Sequence, residues 1–431
     1  MAKNTNISLR NQMIYQVFPR QYSKEGNFFG VIKDLDRIKE LGCDILYLLP
    51  IHPIGQKNKK GSLGCPYSIQ NYREINKDLG TIEDFCELIK KTHEKGMKII
   101  IDVVYNHTSR DSYLLENHPE WFYKNEKGEF ANRVGDWWDV TDLDYSNKDL
   151  WFELADTLCY WAKMGVDGFR CDVASMVPLE FWVYARSELE KINPDIILLA
   201  ESIHLGFVSH IRNMGFEAAS DCELYEAFDM EYDYDIYPLY EKYVQTGEGL
   251  NDWLQALQDQ EGRYPKNYVK SHCLENHDFK RMCEFVTDEV KIRNLNALIF
   301  FLKGITFIYQ GQEACDPKLE SLFDIDKVDF STLNKYGVAD LISKCSQLKK
   351  DPLFRDGVYH IHLNELEIAH ISYESKTEKM VCIANLGNCQ GKVKVDVKDG
   401  NYINLFDDTV VEVEEGMVSL VSNPMIFKAL K

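Results

Sequence analysis

The chain has 431 residues, 45% of them hydrophobic, and carries 69 acidic against 49 basic side chains for a formal net charge of -20. That length exceeds one average domain and supplies ample apolar material for a core. The acidic balance repels phosphate backbones and anionic lipid surfaces, which excludes nucleic acid as a partner.

In chain order, the pattern alternates strand and helix through the first three quarters, the grammar of repeated βα units around a parallel sheet. A strand near residue 13 is followed by a helical face of Val31, Leu35 and Ile38 closed by Gly42, then by the strand Ile45-Leu46-Tyr47-Leu48-Leu49. Thr81 with Asp84 makes a capping-box start. Ile82, Phe85, Leu88 and Ile89 recur at helical spacing until Gly96, and Ile99-Ile100-Ile101 reads as a strand buried on both faces. Over 108–146 the alternation lapses into a polar excursion holding Trp121, Phe122, Tyr123, Trp137 and Trp138. These tryptophans suit either stacking on a ligand or packing of a small domain. A helix with Trp151, Leu154, Leu158 and Trp161 in step ends at Gly165.

Further strands are expected near residues 168, 196, 220, 272 and 305. The sixth, over 220–225, has the weakest pattern. Together the eight predict an α/β fold, a closed (β/α)8 TIM barrel of roughly 250 residues with insertions. After about residue 352 the apolar period changes to two, as in Lys392-Val393-Lys394-Val395-Asp396-Val397, followed by the turn signal Asp399-Gly400 and a strand over 402–406. This predicts a small C-terminal antiparallel β-sandwich. The expected division is a barrel over 1–107 and 147–350, an inserted domain over 108–146 and the sandwich over 351–431.

No run of about 18 apolar residues occurs, the length a membrane helix needs, since 298–309 is broken by Lys303 and Gly304. The polar opening Met1-Ala2-Lys3-Asn4-Thr5-Asn6 has no secretory h-region. Twelve cysteines stand singly with no C-x-x-C pair. A cytoplasmic protein with buried free thiols is the expectation, and Cys171 is read as facing the core.

The chemistry lies at strand ends, where a barrel keeps its active site. Asp172 stands in Gly168-Phe169-Arg170-Cys171-Asp172-Val173. Glu201 ends Ile196-Ile197-Leu198-Leu199-Ala200, and Asp278 follows Asn276-His277. Two acids on separate strands suit cleavage of an acetal between sugars, one attacking the anomeric carbon and the other protonating the leaving oxygen. Asp172 is the candidate nucleophile and Glu201 the candidate acid/base, expected about 5 to 5.5 Å apart. Arg170 is expected to pair with Asp172, either structurally or to keep it ionised. A further Asp and His stand in Asp102-Val103-Val104-Tyr105-Asn106-His107.

These four segments, in order and spacing, resemble the conserved motifs of the α-amylase family of glycoside hydrolases. The resemblance spans nearly the whole chain, from Ile14-Tyr15-Gln16-Val17-Phe18-Pro19-Arg20 through Pro66-Tyr67-Ser68-Ile69 to Phe307-Ile308-Tyr309-Gln310-Gly311-Gln312-Glu313. It implies a retaining α-glycosidase acting on α-1,4-linked glucans or maltooligosaccharides. Asp278 would be its third acid, the alternative being a helix cap. His107, His277 and Arg170 would bind substrate, Tyr67 would stack on a sugar face, and Asp102 would support the site. Asn106 corresponds to a calcium ligand of the family, so calcium is admitted though not required.

The short insertion implies a shallow or partly open cleft, and the lack of an added N-terminal β-domain implies a monomer. Two departures bear on specificity: Ser175 and Met176 replace the family's Lys-His, and Ser23-Lys24-Glu25-Gly26-Asn27 lacks the Asp-rich calcium loop of oligosaccharide-acting relatives. Transglycosylation, isomerisation or exo-glucosidase action on the same site are the near alternatives. A non-catalytic carbohydrate- or protein-binding barrel is the remote one.

Overall fold

Apolar runs too short for helices but buried on both sides form the frame, in a computed structural model that describes residues 5–431. The first three strands are β1 (Met13–Val17), β2 (Ile45–Leu48) and β3 (Lys98–Val103). A small antiparallel pair, β4 (His107–Ser109) and β5 (Val140–Asp142), anchors the excursion. The parallel series resumes with β6 (Gly168–Cys171), β7 (Ile197–Ala200), β8 (Met230–Tyr232), β9 (Lys270–Cys273) and β10 (Ile305–Tyr309). The order β1-β10-β9-β8-β7-β6-β3-β2 closes the barrel. Ile99, Ile100 and Ile101 are fully buried between the barrel interior and the outer helices.

Local signals set the helices as expected. Thr81 and Asp84 form a reciprocal capping box at the start of the helix Ile82–Glu94, whose Phe85, Leu88 and Ile89 are buried against the barrel. Gly168 opens β6 because nothing larger fits: an added Cβ would lie 2.3 Å from the Ile197 carbonyl oxygen on β7. This close approach sets the β6–β7 register, Arg170 opposite Leu199 and Cys171 opposite Ala200.

The sixth strand lies elsewhere than expected. Residues 220–225 hold a short helix, Asp221–Leu224, and the strand is Met230–Tyr232. Ser220 and Glu223 make a capping box there, an S-x-x-E helix start, and the three-residue strand hides behind the buried charge of Glu231. That carboxylate meets Lys270 of β9 at 3.1 Å.

The C-terminal region folds as two four-stranded antiparallel sheets. One holds β11 (Val358–His362), β12 (Ile368–Glu374), β13 (Glu378–Asn385) and β18 (Met425–Leu430). The other holds β14 (Lys392–Lys394), β15 (Gly400–Ile403), β16 (Val410–Glu414) and β17 (Met417–Ser419) in the order β14-β17-β16-β15. Val381, Val393, Val413 and Phe427 share the core between them. The strands flanking Asp399-Gly400 therefore sit at opposite edges instead of pairing. Asp399 instead accepts from the backbone N–H groups of Glu415 and Gly416, closing the β16–β17 turn.

Among the described residues no helix is long and apolar enough to cross a membrane. Residues 298–309 are divided between the end of a helix, Glu289–Phe301, and β10. All twelve cysteines are free, and Cys171 is buried as expected.

Candidate active site

The register of β3 against β6 places Asp102 opposite Arg170, so two oppositely charged residues enter the barrel side by side. Arg170 is fully buried, and its fork gathers three acids. Nη1 donates to Asp102 Oδ1 at 2.9 Å and to Asp172 Oδ1 at 2.7 Å, while Nη2 stands 3.0 Å from Glu201 Oε2 as an ion pair. The Arg170–Asp172 pair read from the sequence is present, but the guanidinium is shared with Glu201 rather than reserved for Asp172.

Three carboxylates against one guanidinium leave an excess of negative charge in a dry site. Burial, then the neighbouring charge of Glu201, pushes the Asp172 carboxyl well above the usual range, and Arg170 only partly opposes this. Asp102, fully buried, is pushed up to about 6 by the same desolvation, and it accepts from the hydroxyls of Tyr47 at 2.6 Å and Tyr67 at 2.9 Å. The coupled set thus holds a proton at pH values where free carboxyls have lost theirs.

Backbone strain contributes as well. Val173, the residue after Asp172, has φ 41 and ψ 43, a left-handed conformation that β-branched side chains avoid. Its N–H is thereby aimed at Glu201 Oε2, at 2.7 Å. Strain of this kind costs on the order of 1–3 kcal/mol and persists where surrounding structure enforces it. Here it holds one acid against the strand bearing the other.

His277, at the exit of β9, is kept neutral: burial and then the charge of Arg170 lower it to about 3. Its Nδ1 accepts from Gln16 Nε2 at 3.0 Å, which leaves the proton on Nε2, 3.2 Å from Asp278 Oδ2 and 2.5 Å from the Tyr67 hydroxyl. Tyr67 lies nearly parallel to His277, at 11° and 5.4 Å, with the Arg170 guanidinium 5.7 Å from its ring centroid. Much of the ring expected to stack on sugar is therefore turned to these two groups. His107 is buried and lowered by desolvation, with Trp137 5.3 Å away.

Tyr67, His107, Asp172, Glu201 and Asp278 line one cavity of about 280 Å³, while Asp102 and Arg170 lie beneath it. The cavity walls add Lys60, Trp137, Asp139, Ile203 and Phe207. Of these only Trp137 carried a sequence signal, as one of the aromatics of the excursion. Phe207 sits on the helix Leu205–Asn213 after β7 and Lys60 on the loop after β2, where no periodicity marks a lining residue. A larger groove, of about 610 Å³, runs along Tyr123, Arg133, Trp151 and Phe216, but the three acids converge in the smaller one. Ser175 and Met176 are both buried, Met176 along the larger groove, and Ser175 Oγ accepts from Ile203 N at 3.1 Å, tying the exits of β6 and β7.

Asn106, fully buried, faces Arg133 rather than open space: its Oδ1 accepts from Arg133 Nη2 at 2.9 Å. Among the described residues no group of three or more His, Cys, Asp or Glu side chains could hold a metal ion.

Two family models match this chain, the α-amylase catalytic domain over residues 12–352 and the bacterial α-amylase C-terminal domain over residues 360–427. The solved α-amylase of Lactobacillus plantarum is 44% identical, with a TM-score of 0.94 over 98% of this chain and 100% of that one. Among curated proteins, an α-1,4-glucan:maltose-1-phosphate maltosyltransferase of Picrophilus torridus is 28% identical over 89% of this chain. α-Amylase 3 of Dictyoglomus thermophilum is likewise 28% identical, over 70% of it. The chain spans 62% and 64% of the lengths of these two curated relatives. With the barrel, the sandwich and four strand-end motifs in place, and a catalytic-domain model matching most of its length, the chain belongs to the α-amylase family of glycoside hydrolases.

Proposed function

We propose that this protein is a retaining α-glycosidase that hydrolyses α-1,4-glucosidic bonds in starch-derived glucans or maltooligosaccharides. The observation that carries the reading is the single guanidinium of Arg170, at 2.7 Å from Asp172 and 3.0 Å from Glu201. Both acids converge on one fork, as direct attack requires; retaining enzymes hold the two carboxyls about 5–5.5 Å apart, whereas about 6.5–9.5 Å admits a water between sugar and base.

In this reading Asp172 attacks the anomeric carbon while Glu201 gives its proton to the leaving glycosidic oxygen. Glu201 then takes a proton from the water that releases the sugar from Asp172. Asp278, beside His277, stabilises the oxocarbenium-like sugar, and neutral His107 offers a donor to its hydroxyls, while the one N–H of His277 is held by the Tyr67 hydroxyl. Tyr67, with its hydroxyl on Asp102, holds the floor of the subsite. The cavity of about 280 Å³ suits one sugar ring with part of the next.

Transfer to a sugar acceptor is the second reading, favoured by the likeness to the maltosyltransferase over 89% of this chain. Cytoplasmic residence is supported by the twelve free cysteines, and a monomer remains the proposed state. The test is incubation with maltoheptaose, products resolved over time, and Asp172→Asn as the control. Shorter oligosaccharides from the wild type alone establish hydrolysis, and products longer than the substrate establish transfer. No turnover of maltoheptaose would sink the α-1,4-glucan assignment.

A further inference from the structure

The excursion brings its own cation to the barrel. Asn106 is buried at the exit of β3, and β4–β5 pairing sets its neighbour His107 opposite Asp142. Arg133 spans the two: Nη2 donates to Asn106 Oδ1 at 2.9 Å and Nε to Asp142 Oδ2 at 2.8 Å. Its backbone N–H gives that same Oδ2 a further bond at 2.9 Å. The guanidinium also lies 5.8 Å from the ring of Phe216, on the segment that follows β7. One side chain therefore joins the β3 exit, the excursion and the chain beyond the Glu201 strand.

Calcium in this place would need six to eight oxygens at about 2.3–2.6 Å. The donor set does not fit. The side-chain oxygens on offer are one amide and one carboxylate, Asn106 Oδ1 and Asp142 Oδ2 already accept N–H donors, and a fixed positive charge stands between them. Asp142 is fully buried, and Arg133 is the cation paired with it.

We propose that Arg133 serves as the permanent cation of this junction, so that the excursion is held on the barrel without a divalent metal. Unlike a bound ion, a guanidinium does not dissociate and stays charged at any working pH. It is a positioning residue: through Asn106 and Asp142 it holds the loop that carries His107 and packs Trp137 against it. The proposal concerns how the site is held and stands apart from which glucan the site cleaves.

The test starts with the wild-type protein, dialysed against EDTA and then supplied with calcium chloride. The thermal midpoint is expected to stay within about 1 °C throughout, and terbium, a luminescent calcium probe, to show no sensitised emission from the excursion's tryptophans. A midpoint that falls on chelation and returns with calcium would overturn the proposal, whether or not any variant folds. Arg133→Met is expected to lower the midpoint by about 5 °C or more by leaving Asp142 buried and unpaired. Its amide exchange over 121–143 should rise at least about tenfold while that of β1 and β10 stays slow. Arg133→Lys should recover only part of this, because an ammonium cannot span both acceptors with a planar fork. Unchanged exchange over 121–143 in Arg133→Met would equally refute the assignment.

Discussion

Replacing Arg170 by Met removes the one cation facing three acids, and the consequence can be worked from the distances. Nη1 lies 2.9 Å from Asp102 and 2.7 Å from Asp172, and Nη2 lies 3.0 Å from Glu201. At a charge separation near 4 Å and an effective dielectric near 20, each such pair is worth about 4 kcal/mol, equivalent to about 3 pKa units. Relaxation and entering water reduce this, so a shift of about 2 units is the working figure. The sign follows from Arg170 opposing the rise of both Asp102 and Asp172. Without it the ionised forms lose their partner and the acids hold protons to higher pH. The acid limb of kcat/KM against pH, which reports the group that must be ionised, should therefore move up by about 2 units. Initial rates on maltoheptaose from pH 4.5 to 9, with circular dichroism as a check on folding, measure it. Activity should fall about 100-fold on the acid side and recover in part toward pH 9. Arg170→Lys, which keeps the charge and loses the fork, should leave the limb near its wild-type place while lowering kcat. An Arg170→Met limb within half a unit of the wild type would refute the view that this guanidinium sets the protonation of the acids.

Three further outcomes follow from the same structure. Val173→Gly exchanges a strained φ of 41 for one that glycine adopts freely. The lost burial is offset by the released strain, and urea denaturation should show a cost under about 1 kcal/mol, against about 3 for an ordinary buried Val→Gly. Gly168→Ala sets a methyl 2.3 Å from the Ile197 carbonyl oxygen, so denaturation should show a loss of at least about 3 kcal/mol, and a near-neutral result would contradict the close packing of β6 on β7. Burial lowers His52 to about 4 and His277 and His370 to about 3, from a usual 6.5. The unfolded chain then binds more protons below pH 6.5, so stability is present above that value and lost as pH falls toward 3. The thermal midpoint should drop across this window, and His370→Gln should flatten the drop.

How much of this was legible in the sequence depended on whether a signal was local. Seven barrel strands lie where the alternation places them, and those at 45–49 and 99–101 are legible as the apolar runs of parallel strands covered by helices. The eighth breaks that rule: β8 is three residues long and carries a buried glutamate against Lys270. At 220–225 the Ser220 and Glu223 capping signal marks a helix start instead of the expected strand. The C-terminal strands were legible by their period of two, but their order was not. The turn at Asp399-Gly400 suggested a hairpin, whereas the pairing is decided by the core that Val393, Val413 and Val418 share.

Within the site the same division runs between residues and their partners. Asp172 and Glu201 announce themselves by where they stand, since an acid at the end of a barrel strand meets the mouth, while Asp278, beyond the end of β9, is implied by the family resemblance. What each acid touches is settled by register and by crossings that spacing does not encode. Arg170 meets Asp102 from 68 positions away because β3 and β6 pair at that step. Arg133 meets Asn106 from 27 positions away because the excursion folds back over its own root. Tyr67 was legible as a site residue, yet the direction of its ring was set by His277, 210 positions along the chain. The electrostatics inherits this: a lone Arg–Asp pair predicts an ionised nucleophile, while a guanidinium divided among three carboxylates predicts a cluster that retains a proton. Only the second sets all three acids under one guanidinium, so the reaction depends on the long-range pairings more than on the motifs that reveal it.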